Sequence, residues 1–417
     1  MLLHRSQFLL AIILSVLLYT SSFAPAKATA TMWTQTYGGL DIDVADSLVA
    51  TSDGGYALVG ESLLVKTDAF GNMEWSKNYG SFSSLVNASD GGYAMAGSIS
   101  GDFWLVKTDV AGNMGWNQRY GGAGDGHAYS LVATSDGGYA LAGYTFSPDT
   151  GSCDFLLVKT DETGNMEWNQ TYGETDIKSW ESASAVVEAS DGGYAIAGSK
   201  GIVPDDMRGL GWKDYWLVKT DAVGNMEWNR TYTYWDYGDE VAASLVATSD
   251  GGYVIAGYQD TSWPKFLLIK TDGNGNIEWK KTYGGGYIDM ANAVVQTSDG
   301  GYALTGVTRS FGVDGDADFW LVKTDSFGNM QWNQTYGGAE PEGATSLVLT
   351  SDGGYALAGY TYSYGDSNGY CDVWLVKTDE YGVVPEATWI ILPFFVIATL
   401  VIFASKKKLL HKQNRKR

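Results

Sequence analysis

The sequence predicts an all-β chain, a seven-bladed β-propeller closed by an N-terminal outer strand, with one C-terminal transmembrane helix. Three observations carry that reading. The string S-D-G-G-Y recurs with its Asp at 53, 90, 136, 191, 250, 299 and 352, a mean spacing of about 50 residues, and a period of that size marks repeat architectures. Each copy is followed by K-T-D, beginning at Lys66, Lys107, Lys159, Lys219, Lys270, Lys323 and Lys377. A Trp-bearing segment then follows six of the seven K-T-D strings, at Trp75, Trp116, Trp168, Trp228, Trp279 and Trp332. The seventh K-T-D runs into EYGVVPE instead, and its missing segment stands ahead of the first copy as MWTQTY, residues 32–37.

The first element, residues 1–30, reads as a signal peptide. His4 and Arg5 precede an apolar run from Phe8 to Leu18, and Ala26-Lys27-Ala28 offers the small-x-small pattern of a cleavage site. Residues 31–382 are the propeller. One full unit, 130–173, divides into SLVAT, YALAGY, DFLLVKTD and MEWNQTY, four short runs rich in Val, Leu, Tyr and Trp. Such runs read as strands, and the glycines of S-D-G-G supply the positive φ that a tight hairpin needs. Four strands in a unit of about fifty residues, repeated, make propeller blades. Borrowing MWTQTY for the last blade joins the two ends of the repeat in one sheet and leaves no free edge.

A short stem, 383–386, leads to an apolar segment, 387–404. Its eighteen uncharged residues would make roughly 27 Å of helix, enough to cross a hydrocarbon core of about 30 Å. The tail, 405–417, carries seven basic residues, which places it in the cytoplasm and everything before Ala387 outside. The expectation is a single-pass protein of the cell membrane with an extracellular propeller.

The motifs resemble known repeats. Y-A-L-A-G, a third strand ending in a polar turn, and a Trp opening the fourth strand resemble Kelch-type blades over residues 32–379, with Ala-Gly where Kelch strands show Gly-Gly. The chain is more similar still to the DGGY-repeat propellers of archaeal and bacterial surface proteins. V-P-E ahead of an apolar anchor resembles archaeal surface-protein tails. The turn T-D-x-x-G-N-x-x-W is similar to the Asp-box of sialidase propellers, which is a folding element. Together these resemblances imply a cell-surface location.

Residues present in every copy cannot mark a single site, so the K-T-D lysine, the S-D-G-G aspartate and the fourth-strand Trp read as scaffold. The segments between the second and third strands do vary. From the Gly closing strand two to the K-T-D lysine they run 6, 10, 16, 21, 13, 17 and 18 residues. Variable loops on a rigid frame are where binding residues belong. Trp212, Trp235, Trp263 and Tyr364 are the candidate ligand contacts there, since aromatic faces beside acids suit a sugar. Asp314, Asp316 and Asp318 alternate in GVDGDADFW and make Ca²⁺ the candidate metal. Asn169, Asn229 and Asn333 open N-x-T sequons on fourth strands and are candidate glycosylation sites.

Residues 31–385 hold 18 basic and 47 acidic side chains, a balance of −29 that opposes phosphate backbones, so no nucleic-acid partner is expected. His127 is the only histidine outside the termini, which leaves no His/Cys ligand set for zinc or copper and gives no further cofactor. Cys153 and Cys371 occupy equivalent places in the third and seventh units, too far apart round a ring for a disulfide. The sequence therefore points to a cell-surface binding or adhesion module with a glycan or surface-protein ligand. A surface glycan-active hydrolase or lyase and a structural envelope component are the alternatives.

Overall fold

A computed structural model of the chain describes residues 32–39, 42–61, 63–121, 124–173, 179–202, 213–233, 238–260, 263–365 and 369–384. The expected signal peptide, the apolar segment 387–404, the basic tail, Trp212 and Trp235 lie outside the described residues. Within them there are 28 strands and one short 3-10 turn, and no helix is long and apolar enough to cross a membrane.

The strands fall into consecutive antiparallel quartets at 45–77, 82–120, 126–172, 179–232, 239–283 and 289–336. The third and fourth quartets are joined by a single parallel pairing of Cys153 with Trp180, so they form one eight-stranded sheet. The last quartet has three strands from 342–377 and takes its fourth from Trp33–Tyr37, with Trp33 opposite Lys377 and Tyr37 opposite Val373.

Turn chemistry explains the hairpins. In the first copy Gly54 has φ +86° and the N–H of Gly55 donates to Asp53 Oδ1 at 3.0 Å. A side chain on Gly54 would be strained at that φ, and the aspartate replaces a backbone acceptor at the turn. Lys66, buried beneath the turn, donates to Asp53 at 2.8 Å, to Glu74 at 3.0 Å and to the carbonyl of Thr67 at 2.7 Å. That is why K-T-D and S-D-G-G always travel together: each lysine clamps the first hairpin of its quartet to the second.

Apolar cores lie between neighbouring quartets. Tyr93, Met95 and Trp104 meet Val59 and Leu64 between the first and second, for example. The circuit ends where it began, with Ala356, Val373 and Leu375 of the last quartet packed on Leu48, Tyr56 and Leu58 of the first. Two sets of polar links run alongside. At the outer edge each fourth-strand Tyr donates its hydroxyl to a glycine carbonyl of the next quartet, as Tyr37 does to Gly71 at 2.7 Å and Tyr120 to Gly164 at 2.7 Å. At the inner edge a serine hydroxyl accepts the amide of the next first strand, as Ser47 does from Leu85 and Ser346 from Leu48, both at 3.1 Å. The bonds from Tyr37 and Ser346 cross the join between last and first quartets, so the ring is laced at that seam as at the others.

Candidate functional site: the mouth of the central cavity

Every first strand breaks register once. The shifts leave Asp46, Ser83, Tyr129, Ser184, Ala243, Asn292 and Thr345 without a partner on the second strand. A bulge of this kind re-aims the extra side chain. All seven residues line one cavity of about 620 Å³, each arriving from a different quartet. Its mouth lies on the face that carries the long variable segments, because first strands begin there.

The lining is asymmetric. On one side it has Tyr129 and Trp180, which belong to a run of four rings with His127 and Tyr144 behind the lining: His127 to Tyr129 at 4.4 Å between centroids, Tyr129 to Tyr144 at 6.0 Å, and Tyr144 to Trp180 at 6.3 Å. Successive planes tilt by 39°, 34° and 37°, and the four neighbouring rings make one aromatic arc. Tyr129 and Trp180 remain about 40 % exposed, so this surface is open to a ligand. The rest of the mouth is mostly polar, with Ser182, Ser184, Ser199, Lys213 and Tyr258. Some of that polarity is already committed: the Asn292 amide donates to the carbonyl of Ala344 at 2.7 Å, and the Thr345 hydroxyl bonds the carbonyl of Ala45.

Asp46 lines the cavity, and His127 stands beside it against Tyr129. Burial, with the negative charge of Glu61 added, pushes the Asp46 carboxyl up to about 6. Burial likewise lowers the pKa of His127, which favours the neutral imidazole. Its Nε2 lies 3.2 Å from the hydroxyl of Ser83. Asp46 is the only carboxylate among the described residues lining the cavity.

Of the four aromatic residues singled out from sequence, Trp263 and Tyr364 are among the described residues. Trp263 is exposed and packs edge-on against Tyr287 at 5.4 Å. The Tyr364 ring lies 5.2 Å from that of Trp374, tilted by 38°, and its hydroxyl donates to the Gly337 carbonyl. Neither lines the cavity.

Asp314, Asp316 and Asp318 do not converge: Asp314 is exposed at a left-handed φ of 55°, Asp316 is half-buried, and Asp318 is buried with its Oδ2 accepting the Val313 N–H at 2.8 Å. Burial and the nearby Glu342 push the Asp318 carboxyl up to about 6. Among the described residues no group of three His, Cys, Asp or Glu is placed to hold a metal.

Asn169, Asn229 and Asn333 are exposed on outer strands, and each donates its amide to a nearby methionine sulfur. Cys153 and Cys371 are both buried and free.

The cavity residues escaped the sequence reading because strict alternation hides a bulge. Aligned on S-L-V and its variants, however, the seven units show one column that changes chemistry, Asp, Ser, Tyr, Ser, Ala, Asn and Thr, beside a column that is Ala in six copies and Phe82 in the other. That contrast was the available signal.

No family model matches the chain, and no curated protein matches it. Among solved structures it is similar to the Neurospora crassa Pan2 WD40 domain, at 11 % identity over 85 % of this chain and 98 % of that one, with a TM-score of 0.52. It is also similar to extracellular domains 1–2 of Drosophila semaphorin 1b, at 8 % identity over 84 % of this chain and 87 % of that one, with a TM-score of 0.47. At such identities the likeness to the WD40 domain concerns fold alone, and the chain is all-β and propeller-like.

Proposed function

We propose that this protein is a seven-bladed propeller displayed on the outer side of a membrane, anchored through residues 387–404, whose variable face binds a glycan at the mouth of the central cavity. The observation that carries the reading is the open aromatic arc of Tyr129, Tyr144 and Trp180 beside a hydroxyl-rich wall. Sugars pair apolar C–H faces with many hydroxyls, and aromatic faces next to short polar side chains suit both. Repetition supports it too: the frame is the same in each quartet, while the seven cavity positions carry six different residue types.

The enzymatic alternative has one observation in its favour, the contact between Ser83 and His127. Glycoside hydrolysis commonly uses two carboxylates flanking the bond, and among the described residues of the lining Asp46 is the one carboxylate. Binding is therefore the reading adopted. Screening the full chain in detergent on a glycan array, beside Tyr129→Ala and Trp180→Ala, tests it. Captured glycans should lose at least tenfold in affinity with either variant, as stacking worth about 1.4 kcal/mol would give, while Trp263→Ala leaves them unchanged. Capture indifferent to both cavity variants would move the site off this mouth.

A further inference from the structure

On the opposite face the turns between third and fourth strands carry exposed apolar side chains, and they are unevenly distributed. Phe327, Tyr381, Phe70 and Val110 are 69 %, 62 %, 58 % and 65 % exposed. They sit at the turn tips of the sixth, seventh, first and second quartets. Those turns are neighbours: Tyr336 donates to Gly382, Tyr37 to Gly71 and Tyr79 to Gly112, each bond joining one quartet's outer strand to the next quartet's turn. The corresponding tips of the third and fifth quartets are Glu162-Thr163 and Gly273-Asn274, with Val223 alone between them. Behind the tips every quartet carries an exposed apolar residue, Met330, Val383, Met73, Met114, Met166, Met226 or Ile277, so the tips alone make the difference between the two sides.

The chain leaves the ring at the middle of this arc. Val384 is the last described residue, in the same turn as Tyr381, and Ala387 opens the apolar segment three residues later. Three residues span at most about 11 Å. A bilayer holding 387–404 would therefore lie against the turns of the seventh quartet and its neighbours.

We propose that Phe327, Tyr381, Phe70 and Val110 form a docking surface for the lipid bilayer that holds the chain's own apolar segment, tilting the ring so that this arc enters the interfacial layer. The proposal rests on the anchoring read above. Apolar and aromatic side chains favour that layer. Insertion is shallow by construction, because an aspartate backs each tip. Asp68 accepts the N–H groups of Phe70 and Asn72 at 2.8 and 2.9 Å, and Asp379 those of Tyr381 and Val383 at 2.9 and 2.8 Å. The carboxylates are turned back under the tips, leaving the apolar side chains outermost.

The test uses the full chain in phosphatidylcholine vesicles. Single cysteines replacing Phe70, Val110, Phe327 and Tyr381, and Thr163 and Asn274 as references, are labelled with a nitroxide; the two native thiols are buried. The ratio of collision with oxygen to collision with an aqueous nickel complex should be several-fold higher at the four tips than at the references. Six equal, water-like ratios would overturn the docking surface.

The unsubstituted chain gives a second reading. The amides of Phe70 and Phe327 donate to an aspartate two residues back, as do those of Thr163 and Asn274. In vesicles the first two should exchange hydrogen more slowly than the others, and equal exchange also counts against the proposal. Flotation separates the two levels: a chain that floats with vesicles but shows six equal ratios keeps its anchor and loses its docking surface, and one that does not float loses both.

Discussion

Lys270 is buried with two carboxylates, Asp250 and Glu278, each at 2.9 Å, whereas Lys107 has Asp90 at 2.7 Å and Gly115 where the second acid would stand. The carboxylates are about half exposed, so water offsets much of their loss of a partner. The Thr271 carbonyl, which also accepts from Lys270, is buried and would be left bare. Lys270→Met should therefore cost about 1–2 kcal/mol in urea unfolding, and Lys107→Met less.

The same residues set the response to acid. Burial alone would raise the carboxyls of Asp53, Asp136, Asp250 and Asp299, but hydrogen bonds from lysine, threonine and glycine N–H bring them down to about 2. Their contribution is complete above the unfolded value of 3.8 and is lost as pH falls towards 2. Asp46 and Asp318, pushed up to about 6, act oppositely: the folded chain holds their protons more tightly, so stability rises as pH falls from above 6 towards 4. Urea midpoints measured from pH 8 to 2 should pass through a maximum near pH 4–5. A midpoint that falls steadily from pH 8 would contradict these assignments.

At the scale of the strand, the repeat made much of the fold legible, because each recurring residue has a recurring partner. S-D-G-G needs its glycine φ, K-T-D its clamp, and the Trp of the fourth strand packs on the next quartet's Tyr, as Trp33 does on Tyr56 at 5.7 Å. The cavity was not legible in the same way. A bulge adds one residue to one strand, and nothing in the alternation of Ala128, Tyr129 and Ser130 announces which of them is extra. The arc from His127 to Trp180 also spans two quartets, so only the ring brings it together.

The first strand carries the closure. Deleting 32–38 removes Trp33 and Tyr37 from the seam and opens two strand edges, so the thermal midpoint of the full chain should fall well below the intact one. Tyr37→Phe, which removes only the bond to Gly71, should cost about 1 kcal/mol. A deleted chain melting with the intact one would show that the seam does not depend on this strand.

For the whole molecule, the account divides labour between two faces. One is built from turns that repeat in every quartet, holds the clamped lysines and carries the apolar tips near Val384. The other carries the variable segments and the cavity mouth, and is proposed to face the medium. The charge of −29 over residues 31–385 suits a solvent-exposed body and gives no sign of which way it points. Orientation is therefore the claim on which the binding reading depends. It can be measured on intact cells with a membrane-impermeant maleimide, comparing Trp263→Cys on the variable face with Ser52→Cys in a first-quartet turn, both positions being exposed and the native thiols buried. The account predicts that the cysteine at 263 reacts at least tenfold faster than the one at 52. Equal rates at the two positions, or faster reaction at 52, would contradict it.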